Sequence, residues 1–586
     1  MNTFYKKSWV IALMLLVPFA SCNNFLEETN PNELSTDSFW KTVEDLDAGL
    51  VAVYNAFKGG NVLAITDEYN RSDMTWPGWG RPNTSNPYYI QDFNEASGAP
   101  NGKWEALYEG VLFANQVIRA SDRLIGTLGS TDAEERARNI MAQARFFRGL
   151  FYFYLYSSFN EGSVIIYDFV PAVEEDYYQS VRPAEEVRAF YLADLEFAYN
   201  NLPPKWTATR DMGRATAGAA AAVLGKSYLY EENFTEAAIF FRDVIENSDY
   251  GYALTENIGD NFTTQNELNS ESILEINYST NYKAEISPWS DEQVSNSLNF
   301  VFSPVGGWRA AYPSSWMIMA YKNDSIDIND PRNMVTEEDG TTRFRKYSLR
   351  TSYSVALVDD PDLEYYGKTT AQATAFNNSE TAYYRKYTNW DIVENEKDIV
   401  PSLRSGVNVR VIRLADVYLM YAESVLRGEG NVEEAMKFIN RVRHRSALQL
   451  LGQDGTGEFP GADHDDKNYD AQSLMDHLMY VERPLELAVE GHAIRHLDMR
   501  RWGITKQRFE ELSQKVYHGD HFKFTDVNGE EKTRWGSILV PGPNPNDPNG
   551  KVLRDYEQAA QNYIESQHAY WPIPNSERVA NPKLGL

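Results

Sequence analysis

One segment limits the possible folds of this chain more than any other: Gly213–Glu246, with the sequence GRATAGAAAAVLGKSYLYEENFTEAAIFFRDVIE. Apolar side chains recur at helical spacing on both sides of a polar turn at 231–233, which predicts two short helices packed back to back. The order Leu224-Gly225, Tyr228, Ala237 and Phe241 follows the tetratricopeptide pattern. Because a single hairpin of this kind cannot bury its own apolar face, we expect at least two more.

A second segment of the same type lies about 160 residues further along the chain. It spans Val409–Ser446, and Ala435, Ile439 and Val442 repeat the spacing of the first hairpin's second helix. Further helices are predicted over 103–124, 133–159, 183–202 and 474–502. The predicted fold is mostly α: tetratricopeptide-like helix-hairpin repeats form a scaffold, and a large irregular, loop-rich insert contains short strands.

Within one domain over 37–586, this prediction divides the chain into three kinds of region. The helical scaffold covers about 37–60, 103–247 and 409–503. Irregular parts cover about 61–102 and 248–408, where Ser272–Tyr278 alternates like a half-buried strand. A tail follows over 504–586.

The first residues form a processing signal. Lys6 and Lys7 precede an apolar run that is too short to span a bilayer, and small residues lead to Cys22, the only cysteine. This pattern is typical of a bacterial lipoprotein signal over 1–21, with Cys22 lipidated at the head of a polar spacer over 22–36. The alternative is an ordinary secretory peptide that leaves Cys22 as a free thiol.

The charge of the chain argues against some partners. The formal net charge is −29 at pH 7 and no basic stripe is present. Such a surface repels phosphate backbones, so nucleic acid is not expected as a partner. No run beyond the signal reaches the roughly 18 apolar residues of a membrane helix, so the lipid alone would tether the protein to a membrane.

Aromatic residues are unusually frequent in the first irregular region. Trp76 and Trp79 lie among Asp67, Arg81 and several prolines that block regular structure. Rings can stack on the C–H faces of sugars while carboxylate and guanidinium groups bind hydroxyls. We therefore expect a carbohydrate site here, although rings that only pin a long loop to the body are the alternative.

The second irregular region repeats this composition with Trp289, Trp308, Tyr312 and Trp316. A long insert in a helical scaffold is a common place for function. The last three of these residues are spaced by four, which is also typical of the buried stripe of a helix. Prolines and glycines between 304 and 313 indicate that part of the segment is loop.

No pattern in the chain predicts catalysis or a bound cofactor. His492 and His496 lie four residues apart, but the order is not that of a zinc-protease helix, and no metal is expected there. No nucleophile motif is present. A glycoside hydrolase stays open as an alternative, because sequence cannot show the separation of two carboxylates.

Several longer motifs resemble one known family. They are, in chain order, a signal ending in cysteine before NNFLEE, then AQARFFRGLFYFYL, GRATAGAAAA, the DPR of 330–332, VIRLADVYLMYAES, INRVRHRSAL, ERPLELAVEGHAIRHLDMRRWG and WPIP with a later NPKL. Together they cover essentially the whole mature chain. On these motifs the chain is identified as a member of the SusD/RagB family.

The resemblance implies a function as well as a fold. Members are cell-surface lipoproteins that capture nutrients, mostly glycans, and act as a hinged lid on a TonB-dependent, SusC-like outer-membrane transporter. Some relatives capture peptides, and this alternative stays open. The family fold has four tetratricopeptide-like helix pairs, and its ligand site is shallow. The positions that match this site here are Asp67, Trp76, Trp79, Arg81, Trp289, Trp308, Tyr312 and Trp316, while charged residues of the long motifs, including Arg148, Arg483 and Glu490, are expected to form structural ion pairs.

Overall fold

The computed structural model describes residues 39–78, 83–281, 294–372 and 376–585. The predicted signal peptide, Cys22 and the spacer lie outside these residues, as do Trp79, Arg81 and Trp289. Among the described residues, no helix is both long enough and apolar enough to cross a membrane.

Helices make up most of the regular structure. In chain order they are α1 Val43–Phe57, α2 Gly60–Leu63, α3 Ile65–Asn70, α4 Gly98–Leu124, α5 Thr131–Ser158, α6 Ala184–Asn201, α7 Ala217–Tyr230, α8 Phe234–Glu246, α9 Leu298–Phe302, α10 Ser315–Lys322, α11 Leu349–Ser354, α12 Leu414–Glu429, α13 Val432–Arg445, α14 Ala471–His477, α15 Arg483–Glu486, α16 Ile494–Arg501, α17 Thr505–Gln514, α18 Glu557–Asn562, α19 Glu565–His568 and α20 Asn575–Ala580.

Most strands are short, and those of the described residues form five separate antiparallel pairs: β1 with β3, β2 with β8, β4 with β5, β6 with β7, and β9 with β10. Their bounds are β1 Thr75–Pro77, β2 Ser272–Ile276, β3 Ala311–Pro313, β4 Met334–Thr336, β5 Thr342–Phe344, β6 Val355–Leu357, β7 Ala382–Tyr384, β8 Val409–Arg413, β9 Tyr517–Thr525 and β10 Glu531–Pro541. The prediction of a mostly α fold with short strands in the insert is confirmed.

Eight helices form the predicted stack of hairpins. They pack in the order α1, α4, α5, α6, α7, α8, α12 and α13, which makes four successive pairs. Helix α8 ends at residue 246 and packs directly on α12, which begins at residue 414. The scaffold is therefore continuous in space although the insert interrupts it in sequence.

Local chemistry explains why these helices begin and pack where they do. Thr42 and Asp45 form a reciprocal capping box at the start of α1, and the Asn233 side chain caps α8. A Cβ on Gly225 would lie 2.6 Å from the Phe241 ring, so only glycine lets α7 and α8 approach this closely. The tetratricopeptide pattern thus describes a real packing constraint.

A network of buried ion pairs joins the scaffold to the insert. Arg413, at the end of β8, contacts Glu271, Glu486 and Glu490 at 2.6–2.7 Å, and all four side chains are almost fully buried. Burial alone would raise the pKa of Glu486, but its arginine neighbours hold that pKa below its usual value. The expected structural ion pairs are confirmed here, at Arg148–Asp194 and at Arg483–Asp498.

The helix predicted over 474–502 is not continuous. The region 474–502 is divided into α14, a π-helical turn, α15 and α16, and Val489 and Ala493 adopt left-handed backbone conformations between the last two helices. The break lets Glu490 reach Arg413. Val409–Arg413, predicted as the start of a helical hairpin, is instead strand β8 because it pairs with β2.

The predicted tail, 504–586, contains regular structure. Residues 517–541 form the long hairpin β9–β10. Trp571 is 1% exposed, and its Nε1 donates to buried Glu68 at 2.7 Å. The final residues therefore pack on the first irregular region.

Candidate functional site

The two irregular regions meet at the strand pair β1–β3. Trp76 lies opposite Tyr312, and Pro77 lies opposite Ala311. Gly78 then donates its backbone N–H to the Ala310 carbonyl at 3.0 Å. This pairing brings together residues of both predicted ligand-binding regions at one end of a two-stranded sheet.

Three of the predicted ring platforms are buried at this junction. Trp76, Tyr312 and Trp316 are 4%, 2% and 5% exposed. Tyr312 packs on Tyr383 with ring centroids 4.9 Å apart. The expectation of open stacking surfaces is not met at these three positions, because each ring fills the core beneath the junction.

Buried ion pairs stabilise the core beneath the junction. The indole Nε1 of Trp316 donates to the Asp73 backbone carbonyl, and the Asp73 carboxylate pairs with Arg495 at 2.8 Å and Arg508 at 3.0 Å. Both guanidinium groups also lie over the Trp316 ring. Although burial opposes ionisation of Asp73, the two arginines lower its pKa below the ordinary value.

A second buried carboxyl, Asp555, lies at the junction. It accepts hydrogen bonds from the Ser315 backbone N–H at 2.8 Å and the Ser315 hydroxyl at 3.2 Å, and Trp76 lies beside it. Burial raises the pKa of Asp555 to about 7, although these hydrogen bonds lower it in part. The buried residues of the junction therefore include one ionised carboxyl, Asp73, and one readily protonated carboxyl, Asp555.

Trp308 is the exposed ring at this junction. Its side chain is 52% exposed, and its ring lies 5.2 Å from the half-buried ring of Phe300 with 31° between the planes. The Trp308 backbone N–H donates to the Phe300 carbonyl at 2.6 Å, and Ala310 donates to Val301 at 2.8 Å. These bonds attach the Trp308 loop to the end of α9.

The loop that carries Trp308 depends on glycine. A Cβ on Gly307 would lie 2.5 Å from the Ser303 carbonyl oxygen and 2.7 Å from that of Phe300. Beyond Trp308, the Arg309 guanidinium donates to the Pro304 carbonyl and pairs with Glu380 at 3.1 Å. The indole is therefore presented by a tightly fixed loop and not by the helix that its spacing also allowed.

Asp67 lies on α3 in the first irregular region. It is half-buried, with Glu68 and Lys103 as its charged neighbours. Burial, together with repulsion from Glu68, raises the pKa of Asp67 to about 6. The residues that flank 79–82 belong to the junction, since Asn83 donates to the Pro77 carbonyl at 2.7 Å.

The β9–β10 hairpin contributes a residue that the sequence analysis missed. Trp535 is 55% exposed, and its backbone carbonyl accepts from the Ser379 N–H at 2.8 Å. Ser379 is adjacent to Glu380, the partner of Arg309. A Trp-Gly step inside an otherwise regular strand pattern indicates a bulge, and this was the signal that could have identified the position.

A separate cleft of about 510 Å³ lies between α4 and the segment 165–177. Tyr108, Tyr167, Phe169 and Tyr177 line it. The hydroxyls of Tyr108 and Tyr167 already donate to backbone carbonyls, at 2.7 Å and 2.6 Å. This cleft provides an internal comparison for binding experiments.

Comparisons with known proteins agree with the fold. A model described as "SusD family" matches residues 270–585, and one described as "Starch-binding associating with outer membrane" matches residues 24–229. A SusD-like protein of Bacteroides ovatus is 26% identical over 470 residues, covering 76% of this chain and 78% of that protein.

Solved structures are similar over almost the whole chain. A SusD superfamily protein from Bacteroides vulgatus has a TM-score of 0.67 and 22% identity, with 93% of this chain and 98% of that chain covered. A laminarin-binding SusD-like protein has a TM-score of 0.63 and 20% identity, with 93% and 99% covered. A structure with xylogluco-oligosaccharide has a TM-score of 0.64 and 21% identity, with 92% and 98% covered. With one family model matching more than half of its residues, the chain belongs to the SusD family.

Proposed function

We propose that this protein captures a neutral glycan at the cell surface and delivers it to a TonB-dependent outer-membrane transporter, acting as the transporter's lid. Its role is binding and not catalysis. The observation that carries the proposal is Trp308, a half-exposed indole fixed beside Phe300 where both irregular regions meet. Similarity to proteins whose names record starch, laminarin and xylogluco-oligosaccharide supports a glycan as the ligand.

The chemistry of the Trp308 surface fits a sugar. An indole that is 52% exposed offers an apolar face to the axial C–H groups of a pyranose. Asn377 and Asn378, both exposed on the neighbouring segment, supply amide groups that can bind hydroxyls. The net charge of −29 favours neutral over anionic polysaccharides.

An open, shallow surface also fits delivery. A site that stacks on few rings contributes modest affinity, and modest affinity permits release of the ligand to a transporter. Trp79, Arg81 and Trp289 remain predicted ligand contacts, and Asp67 remains a predicted contact at the edge of the site. Lipidation of Cys22 would hold the protein at the outer membrane next to its SusC-like partner.

Binding to a panel of neutral oligosaccharides tests the ligand class. Full-length protein purified in detergent is titrated by calorimetry with starch-, laminarin- and xyloglucan-derived oligosaccharides and with a peptide mixture. We expect at least one oligosaccharide to bind, and Trp308→Ala to weaken its binding about tenfold. Tyr177→Ala, which removes an exposed ring from the 510 Å³ cleft, serves as the matched control and should leave affinity unchanged.

Other outcomes would contradict the proposal in recognisable ways. Binding of peptides alone would favour the peptide-capturing alternative. Shortened products after incubation with the bound glycan would establish a hydrolase. A loss of affinity in Tyr177→Ala but not in Trp308→Ala would move the site to the cleft. Co-purification of the transporter with the full-length protein tests the partner separately.

A further inference from the structure

The β9–β10 hairpin carries a ring-bearing surface distinct from the Trp308 loop. Trp535 on β10 is 55% exposed, and His521 on β9 is also exposed. Their rings lie 4.3 Å apart at 68°, so the edge of one ring packs against the other. An indole that keeps more than half of its surface exposed beside such a contact still has a face open to a ligand.

A bulge fixes the direction of Trp535. Arg534 pairs with Phe522 and Ile538 pairs with Asp520, so that residues 535–537 lie opposite His521 alone. Gly536 has φ +65° within this bulge, and a Cβ on Gly519 would lie 2.4 Å from the Gly536 carbonyl oxygen. Extra residues in one strand interrupt the regular alternation of side chains, and here they leave the Trp535 side chain exposed to solvent.

Hydrogen bonding also fixes the histidine. The Gly536 backbone N–H donates to Nδ1 of His521 at 3.2 Å. In the neutral imidazole the proton therefore resides on Nε2, which makes Nε2–H available as a donor. The hairpin thus combines an open indole face with a neighbouring hydrogen-bond donor, which is the combination that binds a sugar ring and its hydroxyl groups.

One short segment links this surface to Trp308. The Asn378 side-chain oxygen accepts from the Trp535 backbone N–H at 2.9 Å, and the Ser379 backbone N–H donates to the Trp535 backbone carbonyl. Glu380, the next residue, binds Arg309 beside Trp308. Trp308 and Trp535 are therefore connected through one strip of three residues, 378–380.

We propose that Trp535 and His521 form a second sugar subsite, and that one extended neutral oligosaccharide occupies both this subsite and Trp308. The proposal rests on the proposed function. A chain that reaches both indoles gains two stacking contacts, whereas a short oligosaccharide gains only one. The structure thereby selects glycans by chain length and favours long, unbranched segments over mono- and disaccharides.

The test is affinity as a function of chain length. Full-length protein in detergent is titrated with a size series of laminarin oligosaccharides, and with a size series of any other glycan that binds in the panel. We expect Trp535→Ala to weaken binding of the longest members about two- to tenfold and to leave the shortest members unchanged. Trp308→Ala should weaken binding of every member.

Matched variants separate stacking from other effects. Val527→Ala changes a side chain that is 63% exposed near the turn of the same hairpin, and it should alter nothing. Trp535→Phe should restore part of the lost affinity for long chains, and His521→Phe keeps a ring but removes the donor and should cost less than Trp535→Ala.

The outcomes distinguish the two proposals. If wild-type protein binds and Trp308→Ala weakens it, but Trp535→Ala binds every length like wild type, the second subsite is refuted while the proposed function stands. Equal losses in Trp535→Ala for short and long chains would also refute the extended mode. If the wild-type protein binds no glycan of any length, the proposed function fails and the subsite fails with it.

Discussion

Trp76 lies directly opposite Tyr312 in an antiparallel strand pair that joins two distant parts of the chain. Both rings are buried, so this pair forms the base of the candidate site and not its surface. Trp308, four residues before Tyr312, is 52% exposed, and its loop is held by hydrogen bonds to Phe300 and Val301. The junction therefore links the stability of the insert to the geometry of ligand binding.

Stability measurements should separate buried from exposed tryptophans. We expect Trp316→Ala to lower the free energy of unfolding by about 3–5 kcal/mol, because it removes a packed ring and its hydrogen bond to Asp73. Trp308→Ala should change it by less than about 0.5 kcal/mol, because that ring is half exposed. Chemical denaturation of both variants checks this. Equal losses would mean that Trp308 is also a core residue.

The Trp308 loop should tolerate no side chain at Gly307. A Cβ there would meet two backbone carbonyls at 2.5–2.7 Å, so Gly307→Ala must shift the loop. We expect glycan affinity to fall severalfold, with a loss of unfolding free energy of about 1–3 kcal/mol. Gly461→Ala is a useful comparison, since a Cβ there would meet no atom within 4 Å. Unchanged affinity in Gly307→Ala would show that the loop is not preorganised for binding.

Asp555 should make stability depend on pH. Its pKa rises from 3.8 to about 7 in the folded protein, so the folded state keeps a proton that the unfolded chain loses between these values. This contribution is complete below about pH 4 and is lost as pH rises through 7. Asn cannot ionise and can still accept from the Ser315 N–H.

We therefore expect the free energy of unfolding of Asp555→Asn, minus that of wild type, to increase by on the order of 2 kcal/mol from pH 5 to pH 9. Urea unfolding of both proteins at the two pH values measures the difference. A pH-independent difference would show that Asp555 is already ionised in the folded protein over the whole range.

The buried ion network should be intolerant of losing its central cation. Arg413→Met leaves Glu490 and Glu486 with fewer compensating charges in the core, and we expect a loss of about 3–5 kcal/mol in unfolding free energy. The exposed pair Arg136–Glu44 is the control, and Arg136→Met should cost less than about 1 kcal/mol. A small effect of Arg413→Met would imply that its partners become protonated at little cost.

The helical scaffold could be predicted from local sequence patterns. Helical periodicity and the close approach required at Gly225 are local properties, since residues three and four apart meet on one face of a helix. Ser272–Ile276 could likewise be identified as a strand from its alternation. The family motifs extended this inference to the whole chain.

Which aromatic rings face solvent could not be predicted from these patterns, because it depends on contacts between distant segments. Trp308, Tyr312 and Trp316 are all aromatic and lie four residues apart, yet Trp308 is exposed and the other two are buried. Tyr312 and Trp316 are buried because β1, which is distant in sequence, packs at this position. Trp535 gained its position in the same way, through contacts with Asn378 and Ser379. Burial of a side chain depends on which distant segments pack over it, and these segments cannot be identified from the local sequence.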